Sequence, residues 1–347
     1  MNWKDKFPRK SIYFETENGI LYCGHVLEIL KDFPEESVDC IVTSPPYWNL
    51  RYYGEVADVI WDEVQGCKHE WGEEIKVSSR HKKGETNPGK EAWAKEKGAI
   101  TDRAGKFCLK CKAWYGQLGM EPTLELYHKH LLQVGSEIRR VLKKTGTLWW
   151  VHGDSYVDKT LSLQNFRFIQ ELIDKQGWYL RNIIIWEKPN CMPSSVKDRF
   201  TIDYEPIFFL VKNKKYYFKQ QVEPAKTPGS VHVAKNIQKS HVVHEQYNRT
   251  YFARTYETKD YRNKRCVWHI NTGYFKEAHF AVYPRELIEP MISAGCPEDG
   301  IVLDPFMGSG TTGEVAEILR RRWVGIEINK DYCEIAKRRL ERRRYLL

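Results

Sequence analysis

The stretch IVLDPFMGSGTTGEVAEILRRRWVGIEI, residues 301–328, limits the fold of this chain more than any other segment. IVLD is a short apolar run of the kind a buried parallel strand needs. PFMGSG is a tight glycine-rich turn. TTGEVAEILRRR spaces Val315, Ala316, Ile318 and Leu319 as a helix face does, and WVGIEI is a second strand with Glu327 near its end. Together they predict a βαβ unit, and such units belong to sheets covered by helices. The unit lies near the C-terminus, with only residues 311–347 following Gly310. The rest of the sheet must therefore come from the preceding part of the chain.

The turn reads as a ligand site. Gly308 and Gly310 let backbone approach a bound group closely, and the helix that follows offers its N-terminus to negative charge. Glu327, ending the second strand, is placed to grip ribose hydroxyls. GSGTTG also satisfies the dinucleotide fingerprint G-x-G-x-x-G, so a nicotinamide- or flavin-dependent oxidoreductase is a rival reading. Too little chain follows to complete a dinucleotide domain. Asp304 at the strand end also suits an amine better than a pyrophosphate. The plainest alternative is a glycine-rich βαβ turn with no ligand.

A second feature sits near the other end. VDCIV (38–42) is a β-branched run suited to a buried strand, and TSPPYW (43–48) follows directly. Prolines cannot continue a ladder, so this is a stiff loop at the carboxyl end of a strand, where open α/β sheets bind ligands. A simple strand-ending turn is the alternative.

The two motifs together resemble the β-class, circularly permuted DNA amino-methyltransferases that use S-adenosylmethionine. In that family an (S/D/N)PP(Y/F/W) motif comes first, a target-recognition region second and an FxGxG motif last. This chain has Ser44-Pro45-Pro46-Tyr47 and then Phe306-Met307-Gly308-Ser309-Gly310. HFAVYPRELIEPMI (279–292) looks like the helix leading into the cofactor site, and WEKPNCMPSSVKDR (186–199) like the loop beside the target base. Many relatives carry Gly-Asp where this chain has Gly24-His25. The resemblance implies an α/β fold with a Rossmann-like mixed seven-stranded sheet and helices on both faces. It divides the chain into a catalytic half (12–66 and 112–218), a target-recognition region (219–275) and a cofactor half (276–347).

The resemblance also implies a chemistry. Double-stranded DNA is the partner, and the target base is flipped from the duplex. Ser44 and the Pro45 carbonyl accept the two N–H bonds of its amino group, Pro46 helps keep the loop rigid, and Tyr47 stacks on the base. Asp304, Phe306, Gly308, Ser309, Gly310, Glu327 and His279 are the cofactor-binding positions. S-adenosylmethionine gives up its methyl group and leaves as S-adenosylhomocysteine. Serine at the first motif position is commoner among cytosine-N4 enzymes, so cytosine N4 is the expected acceptor, with adenine N6 as the alternative. A catalytically silent nucleic-acid-binding protein is the third class, and the intact SPPY motif argues against it. A cognate restriction endonuclease is an optional partner.

Bulk properties agree. Charged residues are 29%, no apolar run nears the roughly 20 residues of a membrane span, and MNWKDKFPRK has no secretory apolar core. A cytoplasmic protein of a prokaryotic, archaeal or phage system is expected, with no membrane partner. Formal net charge is +9, compatible with a polyanion. Nine cysteines in such a protein suggest reduced thiols or metal. GCKHEW (66–71) and FCLKCKAW (107–114) supply Cys67, His69, Cys108 and Cys111, a Cys-x-His and a Cys-x-x-Cys pair fit for one structural zinc in an insert over 67–111. Free thiols are the alternative there. The remaining cysteines are expected to be apolar fillers. Residues 219–265 hold ten Lys or Arg against four acids, interleaved with Tyr247, Tyr251, Phe252, Tyr256 and Tyr261. This is the best candidate for DNA contact, a solvated basic loop being the alternative.

Overall fold

Nine strands form one mixed sheet: β1 Ile12–Glu15, β2 Gly19–Cys23, β3 Val38–Thr43, β4 Leu142–Val151, β5 Tyr179–Glu187, β6 Tyr204–Val211, β7 Val267–His269, β8 Ile301–Asp304 and β9 Arg322–Glu327. The computed structural model describes residues 2–75, 105–226, 231–237, 251–257, 260–273 and 283–344. The strands lie in the order β1-β2-β9-β8-β3-β4-β6-β5-β7. From β2 to β4 all neighbours are parallel; β6 runs antiparallel to β4 and β5, and β1 to β2. The sheet is thus two strands wider than the expected seven. The additions, β1 and β7, are short edge strands, too brief for a clear alternating pattern.

Alternate residues along the middle strands feed two cores. Leu148, Trp150, Phe208 and Leu210 face one side, while Trp149, Val151, Ile207 and Phe209 face the other. This period of two explains why these strands read as continuous apolar runs: both faces are buried. Helices α1 (Val26–Lys31), α2 (Leu124–Val141) and α3 (Gln164–Gln176) cover the first face through residues such as Ile29, Leu131, Ile138 and Phe168. Helices α4 (Arg285–Gly295), α5 (Thr311–Ile318) and α6 (Lys330–Arg344) cover the second through Leu287, Met291, Val315, Ala336 and Leu340. Thr123 caps α2, its hydroxyl accepting from the Leu126 amide at 3.2 Å.

Some details depart from the expected pattern. Helix α5 stops at Ile318, because the chain turns through a left-handed Arg320 (φ 56°) before β9. Helix α6 carries a buried cation: Arg339 packs against Glu314, with Nε to Oε2 at 2.6 Å. Cys266 is exposed and so is not an apolar filler.

Connectivity makes a crevice. From β3 the chain reaches β4 through α2 on one face of the sheet, while from β8 it reaches β9 through α5 on the other. β3 and β8 are parallel neighbours, with Ile41 opposite Leu303. Loops leaving their carboxyl ends therefore diverge, the switch-point arrangement that favours a ligand site.

Residues Gln220–Arg265 form a separate compact unit. Within it Val222–Pro224 pairs with Tyr261–Asn263, and Val231–Ile237 with Tyr251–Glu257, both antiparallel. The Arg262 and Arg265 guanidinium groups both donate to Glu223 Oε1, at 2.9 and 2.6 Å. Tyr247 of the expected contact region lies outside the described residues. No helix among the described residues is long and apolar enough to cross a membrane.

Candidate active site

A cleft of about 270 Å³ opens where the loops after β3 and β8 part. Ser44, Pro45, Pro46 and Tyr47 line one side; Phe306, Gly308, Ser309 and Glu327 line the other. Two motifs more than 250 residues apart in sequence thus share one cavity.

The Ser44 loop is fixed by two hydrogen-bond chains whose directions follow from donor chemistry. Tyr47 Oη lies 3.0 Å from Glu205 Oε2, and Lys188 Nζ donates to the other oxygen of that carboxylate. A carboxylate only accepts, so the Tyr47 hydroxyl donates to it. Ser44 Oγ in turn donates to Tyr47 Oη at 3.0 Å. The Ser44 hydrogen is committed, and its lone pairs remain to accept. Burial first, and then the Glu205 charge, hold the Tyr47 phenol well above its ordinary range, so it keeps its proton.

The second chain starts at Trp150, whose indole Nε1 donates to His152 Nδ1 at 3.2 Å. Nδ1 must then be the bare nitrogen and Nε2 the protonated one, which donates to Tyr127 Oη at 3.2 Å. Tyr127 passes its own hydrogen to the Pro46 carbonyl at 2.8 Å. Burial drops His152 to about 3, so the imidazole is neutral at ordinary pH. Its ring also backs the Tyr47 ring, centroids 5.1 Å apart.

The opposite wall is built on Glu327. Its Oε2 accepts from the Gly308 amide and its Oε1 from the Asn329 amide, both at 2.8 Å. Burial pushes its carboxyl up to about 7 despite these bonds. Gly308 has φ 53°, and a Cβ there would meet no protein atom within 4 Å. Gly310 serves differently: at φ 86° it starts α5, and a Cβ on it would sit 3.0 Å from Ala336 of α6. Ser309 is held by Arg339 at 3.3 Å.

Asp304 is 1% exposed and is not among the residues lining the cleft. Its carboxylate accepts from Thr43 (2.8 Å), Tyr283 (2.7 Å), Thr312 (2.6 Å) and the Phe306 amide (3.1 Å). It ties the end of β3 to the start of the glycine turn. Burial raises its carboxyl above the usual range, opposed by these donors. Asp154 accepts from Ser162 Oγ and the Leu163 amide and shapes the turn before α3. His279 lies outside the described residues. Cys67, His69, Cys108 and Cys111 do come together, their ligand atoms all within 4.8 Å of one another, at a place that does not line the cleft.

Sequence reading missed Tyr127, His152, Lys188, Glu205 and Tyr283. Tyr127, His152 and Glu205 lie on a helix face or at strand ends with no local motif around them, whereas Lys188 and Tyr283 fall inside the stretches 186–199 and 279–292, which resemble family motifs without marking either residue. The signals available were the place of Lys188 and Tyr283 inside those stretches and the position of Lys188 and Glu205 at the ends of β5 and β6, on the same rim as Ser44.

His25 begins α1 and lines the cleft, edge-on to Trp61 at 4.7 Å, with Nε2 buried. Burial lowers it to about 4, so it presents a neutral imidazole to the cleft.

Comparison with known proteins adds to this geometry. A family model described as DNA methylase, of the N6/N4 methyltransferases, matches residues 38–338. The type II methyltransferase M.SmaI of Serratia marcescens is 32% identical over 92% of this chain and 90% of its own length. M.Cfr9I of Citrobacter freundii is 31% identical over 94% of this chain and 89% of its own. Among solved structures, a PvuII DNA methyltransferase described as cytosine-N4-specific has a similar fold, with TM-score 0.58 at 20% identity, covering 94% of this chain and 88% of that one.

Proposed function

This chain belongs to the N6/N4 DNA methylase family, and on that premise we propose that it methylates the N4 amino group of a cytosine flipped out of double-stranded DNA. The observation that carries this reading is the shared cleft: the Ser44 loop and the Gly308 turn face one cavity, and Asp304 joins their bases.

The cleft suits S-adenosylmethionine. Gly308 leaves open space beside its backbone, and Glu327 offers carboxylate oxygens with capacity left for ribose hydroxyls. Phe306 and Ser309 complete that wall. S-adenosylmethionine supplies an electrophilic methyl group, so no protein nucleophile is called for.

The task of the chain is then positional. A cytosine amino nitrogen is a weak nucleophile because its lone pair is spread into the ring. Ser44 Oγ, with its own hydrogen given to Tyr47, accepts one amino N–H, and the Pro45 carbonyl accepts the other. Both bonds favour a pyramidal nitrogen with its lone pair aimed across the cleft. Tyr47, backed by His152, packs on the base, and Pro46 is pinned by Tyr127 so the loop cannot drift. Serine favours cytosine over adenine because a short neutral acceptor draws a small ring close.

The unit Gln220–Arg265 contacts DNA, its cations on phosphates and its longer side chains on groove edges. Methylation shields the site from a cognate restriction endonuclease. The Cys67–Cys111 quartet takes no part in this chemistry. Digesting modified DNA to nucleosides and weighing the products tests the reading: N4-methylcytosine is expected. N6-methyladenine alone would overturn the choice of base, and no methylated base at all would overturn the activity.

A further inference from the structure

We infer that Cys67, His69, Cys108 and Cys111 hold one zinc ion in a closed, structural site separate from the methyl-transfer cleft. A tetrahedron with Zn–S bonds of about 2.3 Å and a Zn–N bond of about 2.0 Å sets its ligand atoms roughly 3.5–3.8 Å apart. Here the four ligand atoms lie within 4.8 Å of one another, and Cys111 Sγ is 3.4 Å from His69 Nδ1. Small side-chain shifts close such a cluster on a metal. All four cysteine and histidine side chains are at least partly buried, and every cysteine of the chain is unpaired.

The surroundings are built for this. The Cys111 amide lies 3.5 Å from Cys108 Sγ, as an N–H directed at a thiolate does. Lys112 adopts a left-handed conformation (φ 65°) as the loop reverses to bring Ala113 back onto the Cys108 amide. His69 shows Nδ1 to the cluster, while Nε2 lies 3.6 Å from a Glu63 oxygen, too far for a hydrogen bond. Trp71 stacks on the imidazole, centroids 5.0 Å apart. Three thiolates and an imidazole select zinc over magnesium or calcium, which prefer oxygen. Four protein ligands leave no open position, so the metal is structural. Its binding releases the thiol protons of Cys67, Cys108 and Cys111 to solvent.

The site also has something to hold. Its halves are paired by a short ladder: Leu109 to Glu70, Gly72 to Phe107 and Ile75 to Gly105, at 2.7–2.9 Å. Phe107 continues into a three-stranded sheet of Lys106–Phe107, Trp114–Gly116 and Val59–Trp61. Val59 and Trp61 of that sheet line the cleft, so the metal fastens an insert whose inner edge is a wall of the active site.

Metal analysis of the purified full chain should find close to one zinc per chain, retained against a weak chelator. Replacing it with cobalt should give the intense visible bands of tetrahedral thiolate coordination. Cys108→Ser with Cys111→Ser should lose the metal and unfold at a lower temperature. His69→Cys should keep it, and His69→Ala should hold it weakly. A folded wild-type chain that takes up no zinc when zinc is supplied would overturn the assignment. So would an octahedral cobalt spectrum, or zinc retained by the double serine variant.

Discussion

In the proposed reaction Ser44 acts on the amino group as an acceptor; the structure shows its own hydrogen given to Tyr47, which in turn donates to Glu205. Tyr47→Phe, which keeps the ring and the Lys188–Glu205 pair, should therefore lower kcat about ten- to a hundredfold. That is the size expected for losing a hydrogen bond to a charged group, ~1.5–3 kcal/mol. KM for DNA should change little, because the bond matters most at the reacting nitrogen. Steady-state methylation at saturating cofactor checks this; a change confined to KM would contradict it. Glu327 titrates where it can be observed. Its carboxyl is raised to about 7, so the ligand-free fold favours the protonated form. This group's contribution to stability is full below pH 4.5 and is lost as pH rises through about 7. In the proposed site the ionised form accepts from the cofactor's ribose hydroxyls, so affinity should rise between pH 6 and 8 with proton release. Glu327→Gln should bind more weakly and show a flat profile in calorimetry. Ser44, Tyr47 and Glu327 were legible because each sits in a short motif whose chemistry is local. Glu205, His152 and Tyr127 were not, because their roles arise only when separate segments meet.

At the scale of elements, the β8–turn–α5–β9 unit was readable as a contiguous apolar period, and its two glycines have separable functions. Gly308→Ala adds a methyl group facing the cleft, and Gly310→Ala adds one against Ala336. Both substitutions strain a left-handed residue by about 1–2 kcal/mol. The first should abolish most of the rise in melting temperature that cofactor gives the wild type. The second should melt earlier yet keep that rise. Thermal scans with and without S-adenosylmethionine distinguish them, and equal loss of the rise in both would refute the division. Strands β1 and β7 and the ladders of residues 220–265 were not legible: β1 and β7 are only four and three residues long, and β7 and the 220–265 ladders owe their pairing to partners distant in sequence. The end of α5 was misjudged for a related reason: its apolar spacing runs on through Leu319, but the chain must turn to enter β9 beside β8.

At the scale of the whole molecule, chain order explains how one fold acquires a separate compact unit, the one proposed to contact DNA. The cofactor turn comes last and the Ser44 loop first, so the chain between them is free to carry an addition without breaking either motif. The unit Gln220–Arg265 begins and ends on paired strands: Val222 lies opposite Asn263, and the Lys264 amide donates to the Gln221 carbonyl at 2.9 Å. Its two ends are therefore neighbours, and a short Gly-Ser linker can replace it without stretching the chain. Such a deletion should leave melting temperature and cofactor affinity close to wild type, because the central sheet and the cleft residues all lie in the other unit. DNA binding should lose its sequence preference, and the slope of log K against log salt should flatten as phosphate-contacting cations are removed. Titrating the deletion variant with specific and scrambled duplexes at several salt concentrations measures both effects. Site preference that survived the deletion would move recognition out of this unit and make the insert around Cys67–Cys111 the next segment to remove.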